Sequence, residues 1–589
     1  MKHLFFGGIH PKYNKEMSTQ ITTFHSITPK QVVLPMQQHI GAPCSPLVAV
    51  GDYVLRGQKI ADGEGLCVPV HASVSGTVIA IEPRPHTSGR MVNSIVIEND
   101  FQDATVALSG NDLPLEQLDS DYILHAIREA GIVGMGGAAF PGNVKALSAM
   151  GNVDTLIANA CECEPYITAD DSLLRTDPEH VLEGMQILKQ VLKPNRAILA
   201  VEDNKAEAIA KVNSILKDYP GIELAVLPTR YPQGAEKQLI QALTKREVPP
   251  GQLPVSVGCA VFNVSTYAAI YRAVRLGMPL IQRIVTISGE AIAEPQNFIV
   301  RIGTPFHDLI EVAGGLHDKT ERVISGGPMM GIAQSDLAVP VIKATNSILC
   351  LLKDQNGAAE NPVCLRCGKC VSVCPMRLHP LYMYRFTNAG KVEELKRLNI
   401  LDCMECGSCA FTCPGKLPLV EQFRKEDKDC GKYRQLSAFY FPVVKSVAEK
   451  DFGACRRNIL WFGSSGMLHK GLDIAIDFVV AHPEFTLHIC GGSRQESAFR
   501  EYYMPIIKAN GNIVMHGFVD IESQEFAHIL SQCGVLLNPS VSEGGAVAVL
   551  NVLGNGALLP VCSRATGIVI DGYGTVVDEM TYDAFDQAL

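Results

Sequence analysis

At 589 residues the chain is too long for one hydrophobic core, and roughly three to five domains are expected. Apolar residues make up 47% and charged residues 19%, the latter below the roughly 25% usual in soluble domains, so large packed faces are expected, some docked on partners. The formal charge of −10, with no Lys/Arg-rich block, excludes the electrostatic footprint of a nucleic-acid binder.

The opening MKHLFFGGIHPKYNKE has too short an apolar run for a signal peptide. No window offers the roughly 18 uninterrupted apolar residues of a spanning helix. The richest late stretch, 544–562, is broken by Asn551, Gly554, Asn555 and Gly556. A chain soluble by itself is expected, with any membrane association made through a partner. Of its 19 cysteines, eight fall in two metal-type blocks, which points to a reducing compartment rather than a disulfide scaffold.

In chain order, residues 40–98 read as short alternating strands, PLVAVGDYVLRGQKIADGEG and then VPVHASVSGTVIAIE, a pattern that resembles a lipoyl or biotinyl carrier barrel. Where such a carrier shows its modified lysine, this chain has HASVS at 71–75 and no lysine. A structural sandwich is expected, with His71 as a polar turn residue. EAGIVGMGGAAFPGNVKAL follows at 129–147. Its Gly134, Gly136 and Gly137 precede a helical register, and such a loop offers backbone N–H groups to a phosphate and lets a flat ring approach. It lacks strict G-x-G-x-x-G spacing, and a glycine turn is often only a turn. IANACECEPYITADD at 157–171 ends a strand-like run in an acidic turn. RYPQGAEKQLI and VFNVSTYAAI each put a polar turn before a helix. The Cys161-x-Cys163 pair has no third soft ligand nearby in sequence and reads as structural thiols.

CLRCGKCVSVCP at 364–375 and CMECGSCAFTCP at 403–414 carry the C-x2-C-x2-C-x3-C-P spacing of bacterial two-cluster ferredoxins, in which the fourth cysteine serves the other cluster. Two-residue gaps let three thiolates converge from one tight turn, and Gly368 and Gly407 let the backbone pass close to the sulfides. Cys364, Cys367, Cys370 and Cys413 are expected on one [4Fe–4S] cube, and Cys403, Cys406, Cys409 and Cys374 on the other. Zinc is the alternative, but a four-thiolate zinc site has no use for a third cysteine in each run. The stretch LYMYRFTNAGKVEELKRLN between the blocks can form one or two helices. With every block cysteine spent on ligation, the role is electron transfer. Cys44, Cys67, Cys259, Cys350 and Cys430 read as buried thiols.

These stretches, together with FGGIHP, QHIGAP, HASVSG and SGGPMMG, closely resemble the C subunit of the Rnf electron-transport complex, over about residues 1–435. The resemblance implies a family that passes electrons between ferredoxin and NAD while moving ions. That family is in turn similar to the NADH-oxidising flavoprotein subunit of respiratory complex I. By matching motif, Gly134, Gly136, Gly137, Ala138, Phe140 and Lys145 would form the FMN and nucleotide loop. Asn159, Glu162 and Glu164 would sit in the acidic turn reaching FMN and the NADH side, and Glu236 and Lys237 at the nicotinamide side. Asn263, Ser265 and Thr266 would meet the FMN phosphate or ribityl chain. Ordinary readings stand beside these: Lys145 and Lys237 as solvated helix residues, Glu162 as a helix-cap carboxylate. The stretch from Arg283 to Gly331 looks like the β-grasp (SLBB) module that follows the flavin domain in complex I, with a docking role.

The expected division is 1–110 with the barrel-sandwich hybrid, 111–280 as an α/β FMN/NADH domain, 281–345 as β-grasp, 346–435 as a helical two-cluster ferredoxin domain, 436–455 as linker and 456–589 as a tail. NADH exchanges a two-electron hydride and each cluster takes one electron, so a flavin between them is implied, and no catalytic acid–base residue is expected. Cofactors are two [4Fe–4S] clusters and FMN, with NAD(H) as substrate. Partners are the other membrane and peripheral Rnf-type subunits and, indirectly, ferredoxin. The implied place is the cytoplasmic side of the bacterial inner membrane, as a peripheral protein.

The tail alternates strand and helix from NILWFGSSGMLHKGLDIAIDFVVAHPEF onward. It looks like the donor-nucleotide, Rossmann-like half of a family 4 glycosyltransferase of GT-B fold. Lys470 would meet the pyrophosphate, Ser542 and Glu543 the sugar or ribose, and Gly544–Gly545 a phosphate. The stretch before it is ferredoxin and linker rather than an acceptor half, so an inert appendage is expected. Two rival functions are a sugar transferase with a structural cysteine domain, and a non-catalytic iron–sulfur wiring subunit without flavin.

Overall fold

The computed structural model describes residues 5–19, 25–353, 362–430, 450–463, 467, 470–491, 497–520, 523–540, 552, 558–563 and 574–577. Two compact units form, 1–430 and 431–589.

In the first unit, a four-stranded antiparallel sheet runs in the order Gln31–Pro35, Met91–Asn99, Gly76–Pro85, Tyr53–Val54. A three-stranded sheet of Ser45–Pro46, Lys59–Asp62 and Val70–His71 accompanies it. Alternation places Val32, Leu34, Ile60, Val78, Ile95 and Ile97 in one core, which continues into the next domain. His71 ends a strand and is buried. It is not a turn residue, because the chain reverses after it, at 73–75.

The following domain is a four-stranded parallel sheet in the order Ile222–Leu227, Arg196–Glu202, Thr155–Ala160, Cys259–Asn263. Helices cover it, so TLIANA and RAILAVE are apolar on both faces rather than alternating. The order reverses beside Thr155–Ala160: the chain first builds outward to one side, then returns to place Cys259–Asn263 on the other. A crevice at the carboxyl ends of strands where the order reverses is where open α/β sheets bind ligands.

A six-stranded sheet follows, ordered His25–Ile27, Gln296–Arg301, Gln282–Ser288, Ser347–Leu352, Thr320–Ser325, Ile332–Gln334. It packs on the helix Phe306–Val312 through Phe298, Phe306, Leu309 and Ile348. Its first strand comes from the N-terminal region, which stitches this module to the start of the chain. The cysteine blocks lie in a small helical module. The stretch between them forms two helices, Pro380–Asn388 and Val392–Arg397, over a core of Leu378, Met383, Leu395, Ile400 and Phe423. Gly368 and Gly407 adopt φ of 73° and 76° at the start of matching one-turn helices. Only glycine takes that left-handed conformation without strain.

Among its described residues the second unit holds six parallel strands in the order Ile513–Gly517, Thr486–Cys490, Asn458–Phe462, Val535–Asn538, Leu559–Ser563, Thr575–Val577. Numbered along the chain this is 3-2-1-4-5-6, the order of a doubly wound nucleotide fold. Of the tail residues singled out above, Lys470 is described; Ser542, Glu543, Gly544 and Gly545 lie outside the described residues. Among the described residues no helix is long and apolar enough to cross a membrane.

Candidate functional site

The two asparagines picked from separate motifs stand side by side. Asn159 and Asn263 are register partners at the carboxyl ends of adjacent parallel strands, beside the reversal of strand order. Asn159 donates to the Gly234 carbonyl at 2.8 Å and accepts from the Cys161 N–H at 3.0 Å. Asn263 caps the helix Val264–Leu276, accepting from the Ser265 N–H.

The glycine loop closes over this helix start. Val133 and Pro141 pair at its neck, and the Gly134 N–H donates to the Phe140 carbonyl at 2.8 Å. The Met135 N–H donates to Thr266 Oγ1 at 2.9 Å, tying the loop to the helix. Gly136, Gly137 and Ala138 are left exposed. Gly137 has φ +113°, and a Cβ there would meet nothing within 4 Å. Glycine is therefore required by backbone conformation, and the space above it is open. On the next helix, Lys145 pairs with Glu236 at 2.6 Å and lies 5.4 Å from the centre of the Phe262 ring. An open backbone cradle beside a helix N-terminus fits a flat, phosphate-bearing group such as FMN.

Asp170 belongs to this crevice and was not singled out from the sequence. Its carboxylate accepts from Asn263 Nδ2 at 2.6 Å and from Ser265 Oγ at 2.9 Å. Burial, with the neighbouring Glu162 charge, pushes its pKa up. Asn263 and Ser265 are thus held by an aspartate within the protein. The only hint in the sequence was the ADD at 169–171, which reads like any acidic first turn of a helix.

The acidic turn divides its two glutamates. Glu162 accepts from the N–H groups of Asp170, at 2.9 Å, and Asp171, so it caps the helix Ala169–Thr176, whose N-cap residue Thr168 makes no side-chain cap bond. Glu164 goes elsewhere. It accepts from the Met329 N–H at 3.1 Å and lies 3.5 Å from the Tyr231 hydroxyl. The carbonyls of Glu162, Glu164 and Ile167 converge on the Lys15 ammonium, a second residue the sequence did not single out. Lys237 makes its described contact with the Pro249 carbonyl at 3.5 Å, rather than with the Lys145–Glu236 pair.

Burial raises the pKa of Glu164 from 4.5 to about 7. Between those values the native state holds a proton that the unfolded chain has released. The sign follows: stability falls as pH rises from 4.5 toward 7 and levels above it. Glu164→Gln is expected to remove this slope, gaining roughly 3 kcal/mol relative to the parent at pH 7.5 compared with pH 4.5. Denaturant melts of both proteins across that range check it. Parallel pH profiles would place the titration elsewhere.

The Glu164 neighbourhood is where the cysteine module meets the flavin-type domain. The Tyr231 hydroxyl donates to the Cys406 carbonyl at 2.7 Å. Ile9, Cys163, Tyr231 and Cys406 form one small core with Met329 and Val373 against it. FGGIHP fastens the seam: the Gly8 N–H donates to the Val373 carbonyl, and the Ile9 and Tyr231 backbones pair. Cys163 is buried here and accepts from the Gly234 N–H at 3.3 Å, whereas Cys161 is buried in a separate core with Ile157 and Ile198.

Three cysteines of the second block and one of the first share one neighbourhood, and Cys370 has Cys367 and Cys413 near it. Cys374, Cys403, Cys406 and Cys409 line one apolar pocket. Burial raises the Cys409 thiol, and the charges of Cys403, Cys406 and Cys374 add to it. Cys370 is raised by burial and by Cys413 and Cys367. Four thiols round one apolar pocket form a donor set that fits a four-iron cluster. The first group lies at the seam, whereas Cys367 in the second is exposed.

Four family models match the chain: the RnfC barrel sandwich hybrid domain over 3–102, the Nuo51 FMN-binding domain over 127–272, the SLBB domain over 284–333 and the 4Fe-4S dicluster domain over 358–414. The C subunit of the Na(+)-translocating ferredoxin:NAD(+) oxidoreductase complex of Acetobacterium woodii is 45% identical over 427 residues, 72% of this chain and 96% of the relative. The proton-translocating counterpart of Clostridium ljungdahlii is 45% identical over 425 residues, 71% of this chain and 92% of that one. Among solved structures, an NAD+-reducing [NiFe]-hydrogenase chain aligns with TM-score 0.38 and 21% identity over 55% of this chain and 63% of its own. The C-terminal domain of a group 1 glycosyl transferase from Francisella tularensis aligns with TM-score 0.21 and 18% identity over 26% of this chain and 82% of its own. On the extent of the match to these relatives, the chain belongs to the RnfC family, the C subunits of ion-translocating ferredoxin:NAD oxidoreductase complexes.

Proposed function

We propose that this chain is the NADH-handling member of an Rnf-type complex, exchanging hydride with NADH at an FMN site and passing single electrons through two [4Fe–4S] clusters. Ion movement is the work of partner subunits. The observation that carries this reading is the seam. One small core joins the domain bearing the glycine loop to a group of four cysteines, so a flavin site and a cluster site share a rigid boundary.

FMN, when bound, supplies the conversion between a two-electron hydride and one-electron carriers. The chain's residues supply position. The exposed loop of Gly134, Gly136, Gly137, Ala138 and Phe140 would receive the flavin, with Asn263, Ser265 and Thr266 at the helix start on its phosphate side. Asn159 would line the crevice floor. The Lys145–Glu236 pair would stand on the nicotinamide side, with Lys237 at its margin. Glu162 would act by holding the acidic turn, and Glu164 by holding the seam. Cys374, Cys403, Cys406 and Cys409 would hold the cluster nearer the flavin domain. Cys364, Cys367, Cys370 and Cys413 would hold the outer one, which faces a partner.

The test is anaerobic purification with neighbouring subunits, followed by NADH titration. About eight iron and eight sulfide per chain are expected, with flavin absorbance bleached by NADH before the cluster bands change. Clusters without flavin would make the chain a wiring component only. Zinc without sulfide would overturn the cluster assignment.

The domain division given above accompanies this proposal, as does attachment to the cytoplasmic face of the membrane through partners. For the tail we propose a nucleotide-type α/β appendage akin to a glycosyltransferase donor half. The parallel 3-2-1-4-5-6 sheet supports it. Removing residues 456–589 is expected to leave flavin content, iron content and NADH bleaching unchanged. Loss of either cofactor would give the tail a part in the redox machinery.

A further inference from the structure

We propose that the barrel-sandwich module carries a further metal site, a zinc-type ion held by His39 Nε2 and the thiolates of Cys44 and Cys67. The three residues come from separate segments: after the strand Gln31–Pro35, before Ser45–Pro46, and in the loop ahead of Val70–His71. Folding nevertheless brings their ligand atoms together. Cys44 Sγ and Cys67 Sγ lie 3.3 Å apart, and His39 Nε2 is 3.9 Å from the first and 3.6 Å from the second. Zn–S bonds of about 2.3 Å and Zn–N bonds of about 2.0–2.1 Å at tetrahedral angles require ligand atoms roughly 3.5–3.8 Å apart. The observed spacings bracket that range. A disulfide would need about 2.05 Å between the sulfurs.

The imidazole is already oriented for ligation. Its Nδ1 lies 3.2 Å from the Ile40 carbonyl, and the Val68 N–H points at Nε2 from 3.3 Å. The first contact favours a proton on Nδ1, the outer-sphere arrangement typical of metal-bound histidine, and an ion on Nε2 would displace the bond from the Val68 N–H. All three side chains are at most 5% exposed. The buried Lys343 ammonium lies close by, donating to the Pro69 and Gly131 carbonyls at 2.7 Å. Binding would release two thiol protons and form two metal–sulfur bonds and one metal–nitrogen bond. A water completes the coordination, and no oxidant or reductant is required. The site also bears on the flavin crevice, because the Ile40 N–H donates to the Ala139 carbonyl of the glycine loop at 3.1 Å. An ion here would pin the barrel loop on which that loop leans.

The experiment uses the full chain purified anaerobically from zinc-supplemented medium, with its iron content complete. One zinc per chain is expected, and the zinc K-edge should show two sulfur neighbours and nitrogen or oxygen at the distances above. Cys44→Ser and Cys67→Ser should each lower zinc at least tenfold while iron stays constant. Because iron and zinc are counted separately, failure here is distinguishable from failure of the electron-transfer reading. The proposal is overturned if the parent holds less than a tenth of a zinc per chain, or if its zinc edge shows four sulfur neighbours, as an occupied cluster position would. Zinc that survives both substitutions, or a Cys44–Cys67 disulfide found by mass spectrometry, overturns it too. The edge spectrum of the parent decides the matter even if a variant fails to fold.

Discussion

Cys406→Ala is expected to leave a protein whose flavin is still bleached by NADH but which passes no electrons to an artificial one-electron acceptor through its clusters. Cys406 is buried at the seam, its carbonyl held by the Tyr231 hydroxyl, and its thiol shares a cavity with Cys374, Cys403 and Cys409. On the proposed assignment, alanine would remove one ligand from the cluster nearer the flavin domain, and the outer one would then have no short route to the crevice. Iron should fall from about eight per chain toward four, and one of two paramagnetic signals of the reduced protein should vanish. The partner substitutions test the crossing. Cys374→Ala should abolish the same signal as Cys406→Ala, and Cys413→Ala the same signal as Cys364→Ala. If Cys374→Ala instead matched Cys364→Ala, each block would be holding its own cluster.

Gly137→Asp is expected to empty the flavin site while leaving the iron in place. The φ of +113° at this position is strained for any residue with a Cβ, at a cost of roughly 1–3 kcal/mol. Where the free loop relaxes to escape that strain, flavin binding must restore it, which weakens affinity by up to about fivefold to 140-fold at 1.4 kcal/mol per decade. The aspartate then adds a like charge where a phosphate would sit. A Cβ meets no atom within 4 Å here, so the loss would come from conformation and charge rather than from collapse of the domain. Gly137→Ala, carrying strain without charge, should fall between parent and Gly137→Asp. Flavin retained in Gly137→Asp, measured by absorbance after anaerobic gel filtration, would move the site away from this loop.

The cysteine blocks show what local spacing can reveal. Their thiols sit within a few residues of one another, so a tight turn is enough to aim three at one point, and Gly368 and Gly407 have the conformations such turns need. The glycine loop was legible for the same reason, as a backbone device written over consecutive residues. The acidic turn shows the limit. Glu162 and Glu164 are two residues apart and look interchangeable, yet one caps a helix within its own domain and the other reaches the β-grasp loop at Met329. Which way a side chain leaves a turn depends on what packs against it, and those neighbours are distant in sequence.

By itself, then, the order of residues was sufficient for the chemistry of the cysteine blocks, the succession of modules and the family resemblance, because each rests on short-range spacing or on uninterrupted motifs. The family resemblance put Asn159 and Asn263 at one site, and the tertiary structure showed how, as register partners on adjacent parallel strands whose order is set by crossovers. It put Cys406 in the seam with the neighbouring α/β domain, through its burial beside Tyr231. It also brought the ligand atoms of His39, Cys44 and Cys67 from three loops to within 3.9 Å of one another. The physical reason is the same in each case: apolar burial selects the arrangement of whole elements, and polar groups far apart along the chain meet where that arrangement leaves them.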